Sequence, residues 1–189
     1  MKTMKAQQTR DVARAVRRVE SHARKFVDEH VAGRRREGRA ALLMVDLSAT
    51  GYFGTTRARK REVAAEAAAV LGFAALHEGE PVGALLFTDR VELLLPPRKG
   101  RTAVLRIIRE ILFREPKGRG TDLCLALDRA SRSLKARARA FLVTDFLLPG
   151  RVADEFTRLI CTLRAARRRH EVVAVSVSDP RELELPNLG

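Results

Sequence analysis

Leu42 to Thr55 reads LLMVDLSATGYFGT: an apolar stretch runs into an acid and then into a ladder of hydroxyls and glycines. Taken back to Ala40, the segment AALLMVDLS is a short, uninterrupted apolar run. That is the pattern of a strand buried on both faces of a parallel sheet, not of one half-exposed in an antiparallel sheet. Where such a strand ends, the chain is still extended and every second side chain points the same way. Asp46, Ser48 and Thr50 therefore aim their oxygens at one region.

Outward from this strand the apolar period keeps switching. KREVAAEAAAVLGFAALHEGE is an Ala-rich helix stopping near Gly79, and PVGALLFTD and RVELLLPP are strands joined tightly enough to form a hairpin, with Pro96 and Pro97 ending the second. GRTAVLRIIREILFRE and TDLCLALDRASRSLKA read as helices on either side of PKGRG, followed by the strand RAFLVTDFLL, the helix RVADEFTRLICTLRAARRR and the strand HEVVAVSVSD. This alternation predicts an α/β fold: a doubly wound, mostly parallel sheet with one antiparallel edge hairpin strand and helices on both faces, plus an N-terminal helix.

The expected division is a basic helical arm and linker over residues 1–39 and the α/β domain over 40–189. In the arm, Val12, Val16, Val19, Ala23 and Phe26 form one stripe of a helix from about Asp11 to Val31, closed by Gly33 and the linker RRREGR. The stripe must be covered by the domain's own surface, by a second copy or by a partner; docking on the domain is the simplest of these.

Composition narrows the function classes. The net charge of +14 suggests phosphate binding. Yet 30 of the 37 basic residues are Arg in an Ala-rich chain, a bias of GC-rich coding sequence. Half the excess sits in residues 1–39, where 12 basic and 5 acidic side chains give +7 and no stacking aromatics are interleaved. A basic nucleic-acid-binding module is thus the second reading. Cys124 and Cys161 lie in apolar helical patterns without metal-ligand or disulfide spacing, which predicts reduced core residues and a cytoplasmic protein. No apolar run reaches the ~18 residues of a bilayer span.

In open α/β sheets ligands gather outside the carboxyl ends of the strands where the winding reverses. Three loops are expected there, carrying Asp46, Ser48 and Thr50; Gly120, Thr121 and Asp122; and Thr144 and Asp145. Carboxylates and hydroxyls are hard oxygen donors, suited to Mg²⁺ or Mn²⁺ far better than to zinc.

DLSAT, Thr121 and Asp145 resemble the metal-ion-dependent adhesion site of von Willebrand factor A domains, with its D-x-S-x-S, Thr and Asp on three successive loops. VDLSATGYFGT, Lys60 at the next helix start, VGALLFTDRVELLLPPRKGR, GTDL, VTDF and HEVVAVSVSDPRELELPNLG are similar to the bacterial family labelled domain of unknown function fifty-eight, a von Willebrand A-like branch, over about residues 40–189. The resemblance implies metal ligation by Asp46, Ser48, Thr50, Thr121 and Asp145, with an acidic residue of a partner completing the ion's shell. It also implies work beside a MoxR-type AAA+ ATPase. Thr50 departs from the third Ser and stiffens the loop, and the Gly-Asp-Asp and Asp-Trp signature that usually precedes the domain is absent from a chain with no Trp.

Enzymatic readings lack parts. A haloacid-dehalogenase-type phosphatase needs an Asp where Ser48 stands, and PPRKGR lacks the Walker spacing. His22, His30, His77 and His170 sit near no Ser or Cys nucleophile motif and read as solvated or helix-ending residues. The expectation is a non-enzymatic domain, with Tyr52 and Phe146, beside the metal loops, as partner-binding aromatics; Phe53 reads as core.

Overall fold

Strand β1 (Ala41–Asp46) is the middle of a five-stranded sheet, and its first five residues are wholly buried. The computed structural model describes residues 14, 17–21, 39–49, 60–147 and 152–178, with side chains of 152–155 left aside. Along the chain follow α1 (Lys60–His77), β2 (Val82–Phe87), β3 (Val91–Arg98), α2 (Arg101–Phe113), α3 (Leu123–Ser133), β4 (Arg139–Thr144), α4 (Val152–Arg169) and β5 (Glu171–Ser176). The sheet order is β3-β2-β1-β4-β5, parallel throughout except for the β2–β3 pair at one edge. This is the expected architecture.

The uninterrupted apolar run of β1 is explained by two cores. Ala41, Leu43 and Val45 face a layer that includes Ala65, Ala69, Val104 and Ile108 of α1 and α2, while Leu42 and Met44 face Leu123, Leu127 and Leu159 of α3 and α4. Small residues let α1 lie close to α2: a Cβ at Gly72 would stand 3.0 Å from Val104. Sheet direction fixes the ends. The start of α1, the end of α2, the start of α3 and the start of α4 all lie at the carboxyl end of β1.

Two local expectations are corrected. Pro96 and Pro97 do not end β3 but lie inside it, on the outer edge where a missing amide is tolerated. The register shifts there so that both face Gly83, whose bare Cα permits the contact, since a Cβ would stand 2.7 Å from the Leu95 carbonyl oxygen. Cys161 is exposed on α4 and only Cys124 is core, because the buried stripe of α4 passes through Leu159 and Ala166 instead. His170 is the helix-ending residue expected, directly after α4, and it is buried between α4 and β5, its Nδ1 accepting from the Ala138 amide at 3.4 Å. Burial, then the charges of Arg169 and Arg137, hold its pKa below the usual histidine value.

Of the arm, the described residues 17–21 are helical. Val19 is buried in the α1/α2 layer, and Glu20 is buried and paired with Arg101 at the start of α2. Val12, Val16, Ala23 and Phe26 lie outside the described residues.

Candidate metal centre

Asp46 closes β1 beside Thr144, which closes β4, at the place where the strand order reverses. Its carboxylate is a hub. Oδ1 accepts from the Ser48 amide at 2.8 Å, the Asx turn that a strand-ending Asp two residues upstream makes. Oδ2 accepts from the hydroxyls of Thr144 at 2.8 Å and Thr121 at 3.1 Å. Burial pushes the Asp46 carboxyl above its ordinary value, and these donors, with the Ser48 hydroxyl, offset only part of that. The carboxylate is desolvated and supplied with dipoles, and burial outweighs them.

Asp145, the next residue after β4, accepts the Lys60 ammonium on Oδ2 at 3.1 Å and the Leu147 amide on Oδ1 at 3.1 Å. Lys60 and Asp145 are nearly fully buried, 5% and 6% exposed. Lys60 opens α1, and its neighbour Arg61 pins that helix start to the end of α2 through the carbonyls of Ile111 and Arg114. Asp46, Ser48, Lys60, Arg61, Thr144 and Asp145 line one small cleft of about 20 Å³. That is room for a single water-sized occupant. Among the described residues no group of three or more His, Cys, Asp or Glu converges; the cleft instead combines two carboxylates with hydroxyls, a donor set that fits a small hard cation.

The sequence-expected residues thus fall as follows. Asp46, Ser48 and Asp145 share the cleft, and Thr121 is bonded to Asp46. Thr50 and Tyr52 lie outside the described residues. Phe146 is half-buried against the α3/α4 core, with φ 57 and its amide donating to Thr144 Oγ1 at 3.3 Å.

The loop that presents Thr121 has a foundation that sequence reading missed. Glu92, on β3, accepts the amides of Lys117 (3.0 Å) and Gly118 (2.8 Å) and the hydroxyl of Thr88 (2.9 Å). Burial raises the Glu92 carboxyl, but the two amides, the Thr88 hydroxyl and the Arg90 charge outweigh it, and its pKa lies below the usual value. Gly118 passes so close over the hairpin turn that a Cβ would stand 2.2 Å from Thr88 Oγ1. Asp122 then caps α3 by accepting from Leu125 at 2.9 Å. An acid two residues into the second hairpin strand, followed by a Gly-punctuated PKGRG, was the available signal.

Four large apolar side chains are exposed among the described residues: Val63, Phe113, Leu147 and Phe156. All four belong to the first turns of α1 and α4, the last turn of α2 or the loop after β4. They sit on the same end of the sheet as the cleft.

Comparison with known proteins gives a consistent picture. The family profile described as protein of unknown function DUF58 matches residues 9–189. Uncharacterised proteins of Mycobacterium bovis and Mycobacterium tuberculosis are each 36% identical over 149 residues, 78% of this chain and 45% of the relative. The chain spans about half the length of these curated relatives. Among solved structures, an aerotolerance-related membrane protein from Bacteroides fragilis, crystallised with multiple mutations to serines, aligns with a TM-score of 0.56 at 17% identity, covering 74% of this chain and 68% of that one. The conserved hypothetical protein BatB from Bacteroides thetaiotaomicron aligns at 0.55 and 18% identity, covering 74% and 66%. At such identities these two establish likeness of fold alone.

Proposed function

The chain belongs to the DUF58 family, and from that membership and the oxygen-lined cleft we propose that it is a non-enzymatic, Mg²⁺-dependent protein-interaction domain. Asp46, Ser48, Thr121 and Asp145, with Thr50 from the same loop as Asp46, would hold the ion. Bound there, the ion would supply a positive, coordinately unsaturated point to which a partner's carboxylate can bind. The chain's own residues do the rest. Thr121 and Thr144 orient Asp46, Glu92 and Gly118 hold the Thr121 loop, and the fold keeps the cleft small.

The observation that carries the reading is the meeting of Asp46, Ser48 and Asp145 around a space for one small occupant, at the strand ends where the winding reverses. The exposed apolar side chains Val63, Leu147 and Phe156 at the same end support a macromolecular partner over a small-molecule substrate, since exposed apolar surface beside a polar centre favours protein contact. The partner class carried by the family resemblance is a MoxR-type AAA+ ATPase, in the cytoplasm. No described helix is long and apolar enough to cross a membrane.

Affinity capture on the immobilised chain, with Mg²⁺ and with EDTA and read by mass spectrometry, tests the proposal. An AAA+ ATPase retained only with Mg²⁺ is the expected result. Retention unchanged by EDTA and removed by moderate salt would favour the basic nucleic-acid-binding alternative instead.

A further inference from the structure

The cleft already contains a cation. The Lys60 ammonium sits 3.1 Å from Asp145 Oδ2, both groups are nearly fully buried, and Lys60, Asp145, Asp46 and Ser48 line the same small space. The other oxygen of Asp145, Oδ1, accepts the Leu147 amide. Arg61, bonded to the carboxyl end of α2, fixes the helix turn from which Lys60 reaches in.

We infer that Lys60 is a tethered rival of the divalent cation for Asp145, and that it sets how tightly the site takes its ion. The inference rests on the metal-binding reading above. An ammonium and Mg²⁺ are both compact, hard cations that seek carboxylate oxygen. Side by side on Asp145 the two would repel each other as like charges, and side chains as buried as these screen that repulsion poorly. A divalent ion must therefore displace Lys60 from Asp145. Charge arithmetic gives the rivalry a purpose. Asp46, Asp145, Lys60 and Arg61, which all line the cleft, sum to zero, so a loaded site with Lys60 still nearby carries +2 and attracts a partner's carboxylate. Without Lys60 the loaded site would carry only +1. The rival thus trades ion affinity for a charge suited to an acidic partner.

The test is Mn²⁺ titration, followed by electron paramagnetic resonance of the free ion, on the full chain and on Lys60→Met and Lys60→Arg. Lys60→Met should bind Mn²⁺ at least about tenfold more tightly than the native chain, while Lys60→Arg, which keeps the charge, should not. Equal or weaker binding by a folded Lys60→Met, with the native chain binding normally, overturns the rivalry and leaves the metal reading intact. Absence of Mn²⁺ binding in all three chains overturns both. Because removing Lys60 leaves Asp145 buried without its cation and can cost the fold, a second measurement uses the native chain alone. Lysine acetylation mapped by mass spectrometry should rise several-fold at Lys60 when Mn²⁺ is added. Protection, or no change at saturating Mn²⁺, overturns the proposal.

Discussion

Thr121 and Asp46 stand 75 residues apart in the chain, yet the hydroxyl of the first donates to Oδ2 of the second at 3.1 Å. Two loops from different crossovers are thereby tied at one oxygen. Thr121→Ala deletes a donor without stranding a buried partner, since Asp46 Oδ2 keeps Thr144. The expected cost in stability is about 1 kcal/mol or less, with Mn²⁺ affinity falling more than tenfold. Asp46→Ala also removes the ion but strands the Ser48 amide and the buried Thr144 hydroxyl, for a further cost of about 1–3 kcal/mol. Urea unfolding beside Mn²⁺ titration separates the two, and retained affinity in Thr121→Ala would remove that hydroxyl from the proposed ligand set.

Gly118 carries the same loop over the hairpin. A methyl there would stand 2.1 Å from Asp89 Oδ1 and 2.2 Å from Thr88 Oγ1, and Thr88 is wholly buried. Gly118→Ala should destabilise the domain by about 1–3 kcal/mol through overpacking and weaken Mn²⁺ binding by displacing Thr121. Gly79 is the control. It has φ 81 at the end of α1 and open space around its Cα, so Gly79→Ala should cost stability through backbone strain alone and leave Mn²⁺ affinity unchanged.

Glu92 makes the loop sensitive to acid. Its folded pKa lies below the ordinary glutamate value, so the folded state binds its proton less readily than the unfolded chain does. The sign follows: the stabilisation is fully present above about pH 4.5 and is lost as the pH falls through the lower folded value. Urea midpoints measured between pH 7 and pH 3 should fall more steeply for the native chain than for Glu92→Gln. Glu92→Gln should itself be the less stable at neutral pH, because a charge-assisted acceptor of two amides has been made neutral. Parallel curves would mean that Glu92 is not the group responsible.

Which parts were legible in the sequence follows from what each part depends on. The strands and helices were readable because burial on two faces forces an uninterrupted run such as ALLMVD, and one-sided burial forces the helical stripe of α2. Asp46, Ser48, Thr121 and Asp145 were readable because strand direction alone sends them to one end. Lys60 against Asp145 was not, since the pairing depends on how α1 packs, which Arg61 decides through backbone carbonyls that carry no residue identity. Glu92 was hidden for a related reason: its partners are the amides of Lys117 and Gly118, which any residue but proline supplies. Cys161 was misplaced because an apolar local pattern does not say which side the helix shows to its neighbour.

The opposite end of the sheet should govern stability and not ion binding. Arg139, first in β4, donates to Glu80 Oε2 from Nε at 3.1 Å and Nη2 at 2.8 Å, and to Glu78 Oε2 at 2.6 Å, reaching across the amino end of β1. Its guanidinium also lies 5.7 Å from the Phe141 ring centroid. The Glu80 side chain is completely buried and its Oε1 has no hydrogen-bond partner among the described residues, so Arg139 is what makes its charge tolerable. Arg139→Met should cost about 3–5 kcal/mol, because it leaves a buried carboxylate uncompensated. Adding Glu80→Gln should recover a large part of that loss, the non-additivity that marks a coupled pair. Mn²⁺ affinity should stay at the native value in the double variant, since the clamp and the cleft occupy opposite ends of the strands. Additive losses in urea unfolding would show that Glu80 does not depend on Arg139, and weakened Mn²⁺ binding would show that strain at the amino ends reaches Asp46 through β1 and β4.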